Sequence, residues 1–171
     1  MNLDNIEVRI DKPYPELINV IDDKQTVCIL KNLATSRMSE LSAVLQYTYQ
    51  AVISDRANQD IAKVLEEISI VEMMHLEMLM HAITEFGGNP KYEDCQGVPF
   101  NVSQINYSIK LKDILESNIR AEQFAIDEYK AAINKVNNES LKSLFRRIIQ
   151  DEELHIKVFK YVKNNVEFLS I

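Results

Sequence analysis

The run Val71-Glu72-Met73-Met74-His75-Leu76-Glu77 and its echo Asp151-Glu152-Glu153-Leu154-His155 decide how this 171-residue chain is read. Both lie in stretches free of Gly and Pro, with apolar residues at three- and four-residue intervals, so both are expected to be helical. On a helix, residues three apart share a face, so each Glu-x2-His pair projects a carboxylate and an imidazole in one direction. Working outward, Glu40 and Tyr47 precede the first pair as Glu122 and Tyr129 precede the second. The full pattern is Glu-x6-Tyr-x24-Glu-x2-His followed by Glu-x6-Tyr-x22-Glu-x2-His.

The flanking residues place these motifs on four helices. The first is expected over residues 23–54, without Gly or Pro, with the polar seam Leu33, Ser36, Glu40, Ala43, Tyr47, Gln50, Ser54. The second runs to Phe86 along Ile61, Leu65, Ile68, Glu72, His75, Leu79 and Ala82, and is stopped by Gly87-Gly88-Asn89-Pro90. A third is expected over 109–136, with Leu111, Leu115, Asn118, Glu122, Ala125, Tyr129, Ala132 and Val136 inward. The fourth follows Asn137-Asn138, a plausible N-cap, and reaches about residue 168 along Leu141, Phe145, Ile148, Glu152, His155, Phe159 and Val162. Residues 91–108, with Gly97 and Pro99, read as an irregular connection long enough to cross the bundle. The expectation is an all-α, up-down-down-up four-helix bundle over 23–171, preceded by an extended arm at 1–22 that contains Pro13 and Pro15. Whether the arm lies on its own bundle or on a neighbour is open at this point.

Four inward carboxylates cannot be left uncompensated, because each costs several kcal/mol to bury. Two divalent cations supply the opposing charge, and two neutral imidazoles complete the shells without adding any. Glu40, Glu72, His75, Glu122, Glu152 and His155 are therefore the expected ligands of a two-metal site, the chemistry of which is redox or hydrolytic. Glu72 and Glu152 are placed to bridge, Glu40 and Glu122 to hold one ion each. A single Glu-x2-His carries little weight, but two of the three histidines show it at mirrored positions. His81, six residues after His75, falls off the seam and reads as a surface histidine. Met73, Met74, Met78 and Met80 read as core or interface packing, and Glu66, Glu67, Glu128 and Glu153 as solvated faces. Tyr47 and Tyr129 are either core aromatics or residues acting beside the ligands.

A net charge of -7 argues against nucleic acid as a partner. No stretch reaches the length of a membrane span and no secretory leader is visible, which makes the cytoplasm the expected compartment. Cys28 and Cys95, far apart and outside any Cys-x2-Cys, read as ordinary reduced cysteines.

Through Glu40, Val71 to His75, Glu122 and Asp151 to His155, the chain resembles the ferritin-like superfamily, and within it the rubrerythrin, bacterioferritin and manganese-catalase-like group. The resemblance implies a centre of two Fe ions, or alternatively two Mn ions, reacting with hydrogen peroxide or oxygen in an oxidoreductase of the peroxidase or ferroxidase type. Manganese-catalase-like disproportionation and non-catalytic iron binding or storage are the alternatives. It also implies that Asp151 orients the opposite imidazole, a position where Val71 departs from the bacterioferritin pattern, so the two metal positions should be inequivalent. Ala125 replaces the extra Glu of rubrerythrins, and the four-cysteine rubredoxin-like module is missing, so a separate electron donor protein is expected. A homodimer or higher homo-oligomer is the expected assembly.

Overall fold

A computed structural model describes residues 6–165. Among these residues there are five α-helices: α1 (Lys24–Thr35), α2 (Glu40–Ser54), α3 (Gln59–Glu85), α4 (Leu111–Ile133) and α5 (Glu139–Asn165). α1 and α2 follow one another along α3, and α4 pairs with α5, which gives the four positions of a ferritin-like bundle. Short links return α3 against α2 and α5 against α4. The crossover between α3 and α4, carrying a short 3-10 turn at Val102–Gln104, leaves those two helices parallel. The part of the last helix expected at 166–168 lies outside the described residues.

Helix boundaries follow the chain's own capping chemistry. The Asp23 carboxylate accepts from Gln25 N (2.9 Å) and Thr26 Oγ1 (2.6 Å), Asn58 Oδ1 from Ile61 N (3.1 Å), and Asn138 Oδ1 from Leu141 N (2.9 Å). α3 ends where Gly87 takes φ +81°, which lets Gly88 N reach Ile83 O at 2.8 Å.

The first helix is not continuous as expected: residues 36–39 interrupt it. Ser36 is extended (φ -79°, ψ -174°), and Ser42 Oγ donates to Ser36 O (3.2 Å) and Arg37 O (2.9 Å). Serine hydroxyls that satisfy nearby carbonyls offer the backbone an alternative to the helical ladder, and no Gly or Pro is needed for it. The break makes Glu40 the first residue of α2. The polar seam of α2 is satisfied from α4: Gln46 Nε2 donates to Asn118 Oδ1 (3.0 Å), and Asn118 Nδ2 donates to Gln50 Oε1 (2.7 Å).

The cysteine reading is also corrected. Cys28 of α1 and Cys95 of the crossover are joined in a disulfide. Their separation of 67 residues gives no local signal; they meet because the crossover is drawn onto α1. Lys31 Nζ reaches Glu93 Oε1 at 2.7 Å, Thr35 Oγ1 donates to Glu93 O (2.7 Å), and Cys95 N donates to Asn32 Oδ1 (3.1 Å).

Two apolar clusters fill the bundle. One contains Leu79, Ile83, Leu141, Phe145 and Ile148; the other contains Ile61, Leu65, Ile68, Leu115, Phe159 and Val162. A buried polar layer separates them. The arm lies on its own bundle: Arg147 Nη2 donates to Ile10 O (2.6 Å), Arg147 Nε to Lys12 O (3.1 Å), and Ile18 N to Ser140 Oγ (3.0 Å).

Candidate metal centre

Helical spacing places six chemistry-bearing side chains in that polar layer. Glu40 from α2, Glu72 and His75 from α3, Glu122 from α4, and Glu152 and His155 from α5 are all at least 96 % buried. They form two groups able to hold an ion: Glu40, Glu72, His75 and Glu152, and Glu72, Glu122, Glu152 and His155. Glu72 and Glu152 belong to both groups, the position a bridging carboxylate must occupy. His75 Nδ1 lies 3.3 Å from Glu72 Oε2 and 3.2 Å from Glu152 Oε1; His155 Nδ1 lies 2.9 Å from Glu72 Oε1 and 3.1 Å from Glu152 Oε2. Both imidazoles thus turn Nδ1 inward and Nε2 outward.

The residues fit a pair of cations. Glu72 Oε1 and Glu152 Oε1 are buried without a well-aligned hydrogen bond and face only His155 Nδ1 (2.9 Å) and His75 Nδ1 (3.2 Å), so their charge needs a cationic partner. The mix of carboxylate and imidazole is a donor set for iron or manganese. Burial, and next the Glu72 charge, push Glu40 well above the ordinary carboxylate range, and the same two causes act on Glu122. Burial also raises Glu72 and Glu152, but the two imidazoles outweigh it and hold both carboxyls low. Against the opposing effect of burial, hydrogen bonds to Asp151, Glu152 and Glu40 hold His75 well above its usual value; the Glu72 charge leads the same effect at His155. A divalent cation held by Nδ1 would supply the positive charge that these shifts call for.

Tyr47 and Tyr129 are not merely core aromatics. Each donates across the bundle to the carboxylate of the other sequence repeat: Tyr47 Oη to Glu122 Oε1 at 2.6 Å, and Tyr129 Oη to Glu40 Oε1. Burial, then the neighbouring glutamate charges, raise both phenols far above their usual value, so they remain donors.

Asp151 Oδ2 lies 3.2 Å from His75 Nε2. Arg147 Nη1 (2.8 Å), Tyr14 Oη (2.7 Å) and Ile10 N (2.8 Å) all converge on the Asp151 carboxylate, which these contacts hold well below the usual range against its burial. Burial pushes Tyr14 up to about 12. Sequence reasoning missed Arg147 and Tyr14. The available signal was Arg147 lying four residues before Asp151 on one helical face; nothing local marked Tyr14. His81 is exposed and 3.8 Å from Glu77, away from the site, and Met73 is half-exposed.

Between α2 and α4 a cavity of ≈ 230 Å³ reaches Glu40, Glu72 and Glu122. Ser36, Met38, Arg120 and Ala125 are among its lining residues, so the break at 36–39 forms part of its wall. On the opposite side the arm covers the imidazoles.

A family model described as Rubrerythrin matches residues 31–163. The chain belongs to the rubrerythrin family. A bacterioferritin from Brucella melitensis is 30% identical over 132 residues, 75% of this chain and 78% of that protein. The manganese catalase KatB from Anabaena PCC7120 superposes with a TM-score of 0.82 at 23% identity, covering 95% of this chain and 84% of its own. The Mycobacterium tuberculosis bacterioferritin BfrA does so at 0.72 and 21% identity, covering 85% and 87%. These solved structures share the ferritin-like fold. No helix among the described residues is long and apolar enough to cross a membrane.

Proposed function

We propose that Glu40, Glu72, His75, Glu122, Glu152 and His155 hold two iron ions and that the centre reduces hydrogen peroxide or oxygen. The observation that carries this reading is the sharing of Glu72 and Glu152 between two buried four-residue groups in one layer. When bound, two such ions would supply one electron each, which matches a two-electron oxidant in stoichiometry. Around them the chain's own groups do defined work. Glu40 and Glu122 each hold one ion and are pinned by Tyr129 and Tyr47, which keeps the carboxylates in place as charge changes nearby. The outward Nε2 of each imidazole is occupied, so the inward Nδ1 lone pair is the one offered to metal. The cavity between α2 and α4 admits a small oxidant to the carboxylate side, while the arm excludes water from the imidazole side. Turnover with such ions would need an outside electron donor.

Stopped-flow absorbance of the iron-loaded protein mixed with peroxide, and separately with oxygen, tests this: a fast ferric absorbance with either is expected, and none with both ends it. Manganese in the same ligands, disproportionating peroxide without a donor, is the second reading. It is favoured by Cys28 and Cys95 being tied to each other, so neither is a thiolate available to pass electrons to the centre. Anomalous scattering at the iron and manganese edges, with oxygen evolution from peroxide, separates the two.

A further inference from the structure

The two halves of the centre are related by sequence, and at one place the relation fails. Asp151 stands immediately before Glu152 and reaches across to His75 Nε2 (3.2 Å). The matching residue before Glu72 is Val71, which is 96 % buried and has no polar atom to offer His155. Yet His155 Nε2 is not left alone: it lies 2.9 Å from the backbone carbonyl of Val8, in the N-terminal arm.

We infer that the Val8 carbonyl is the positioning group for His155, taking the place that an aspartate at position 71 would fill. The arm is fixed in register for this task. Arg147 donates to the carbonyls of Ile10 and Lys12, its guanidinium lies 4.4 Å from the Tyr14 ring centroid, and Ile10 N donates to Asp151. One short stretch therefore touches both imidazole systems, Val8 directly at His155, Ile10 through Asp151 at His75, and Tyr14 both through Asp151 and at 3.4 Å from His75 Nε2. In a neutral imidazole a carbonyl accepts from Nε2–H only when Nδ1 carries the lone pair, so the contact selects the neutral tautomer that binds metal. A neutral carbonyl pulls less electron density toward the ring than a carboxylate does, so the His155 position binds its ion more weakly than the His75 position.

The inference rests on the two-metal reading, and the experiment separates the two failures. Mn2+ is titrated into metal-free wild type, a variant lacking residues 2–9, Val71→Asp, and the combination, with helical circular dichroism as the check on folding. The truncation keeps every helix and the Ile10, Lys12 and Tyr14 contacts. Wild type is expected to bind two ions; failure there overturns the two-metal reading itself. Truncation is expected to weaken one of the two ions by about tenfold or more and to leave the other, and Val71→Asp in the truncated chain is expected to restore it. Equal affinities with and without residues 2–9, or a defect that Asp at position 71 does not repair, overturns the role of Val8. In the full-length chain, Val71→Asp competes with Val8 for His155 and is expected to speed tryptic cleavage after the exposed Arg9. An unchanged cleavage rate overturns the proposal independently of how the truncated chain folds.

Discussion

The carboxylate side and the imidazole side of the polar layer are built on opposite plans. Between α2 and α4 the layer opens into a cavity, with Ser36, Met38 and Ala125 in its wall and two tyrosines bracing the glutamates. Toward the arm it is closed: Nε2 of each imidazole meets a fixed acceptor, and Arg147 and Asp151 lock those acceptors to α5. Chemistry needs both, because a reactant must enter while the ligands stay oriented and dry. The ligands themselves are nearly symmetric between the two sequence halves. Apart from Asp151 standing where the other half has Val71, what differs comes from segments outside the repeat: the break at 36–39, the crossover and the arm.

The strongest way to break the contrast is to remove a group common to both sides. Glu72→Ala takes a carboxylate from both ion groups and should abolish binding of two ions, a loss of at least ~100-fold, read by metal analysis after dialysis. His81→Ala serves as the control and should retain two; two ions in Glu72→Ala would contradict the bridging role. Next, Cys28→Ser releases the crossover from α1 beside the cavity wall, and should cost about 2–4 kcal/mol in denaturant unfolding under non-reducing conditions. Ion stoichiometry should not change, and equal stability would show that the neighbouring Lys31–Glu93 and Thr35 contacts suffice without the disulfide. On the closed side, Asp151→Asn weakens the acceptor on His75 Nε2 and should lower the affinity for one ion by roughly 10–100-fold while sparing the other. The smallest expected effect is on entry: Ala125→Leu fills part of the cavity wall. It should slow the reaction with peroxide several-fold with binding affinity unchanged, and an unaffected rate would move the entry path elsewhere.

Much of this was legible in the chain, and the reasons are local. Glu-x2-His on an apolar seam fixes which side chains share a face, so the six candidate ligands, the burial of Leu65, Phe145 and Phe159, the stop at Gly87 and the start at Asn138 needed no tertiary information. The break in the first helix was harder, because Ser36, Ser39 and Ser42 interrupt a helix only when their hydroxyls find carbonyls, and the same residues are tolerated within one. The disulfide was misread for a related reason: two cysteines 67 residues apart carry no pairing signal until the crossover's path is known.

By itself, then, the sequence determined the helices, their inward faces and the charge that the interior must neutralise, since periodicity and capping act within a few residues. Only the tertiary structure decided that Tyr47 and Tyr129 brace the opposite half, that Cys28 meets Cys95, and that a backbone carbonyl from Val8 stands where Val71 has nothing to give. Those contacts join residues 67 to 147 positions apart, and a backbone carbonyl carries no side-chain identity from which its partner could be read.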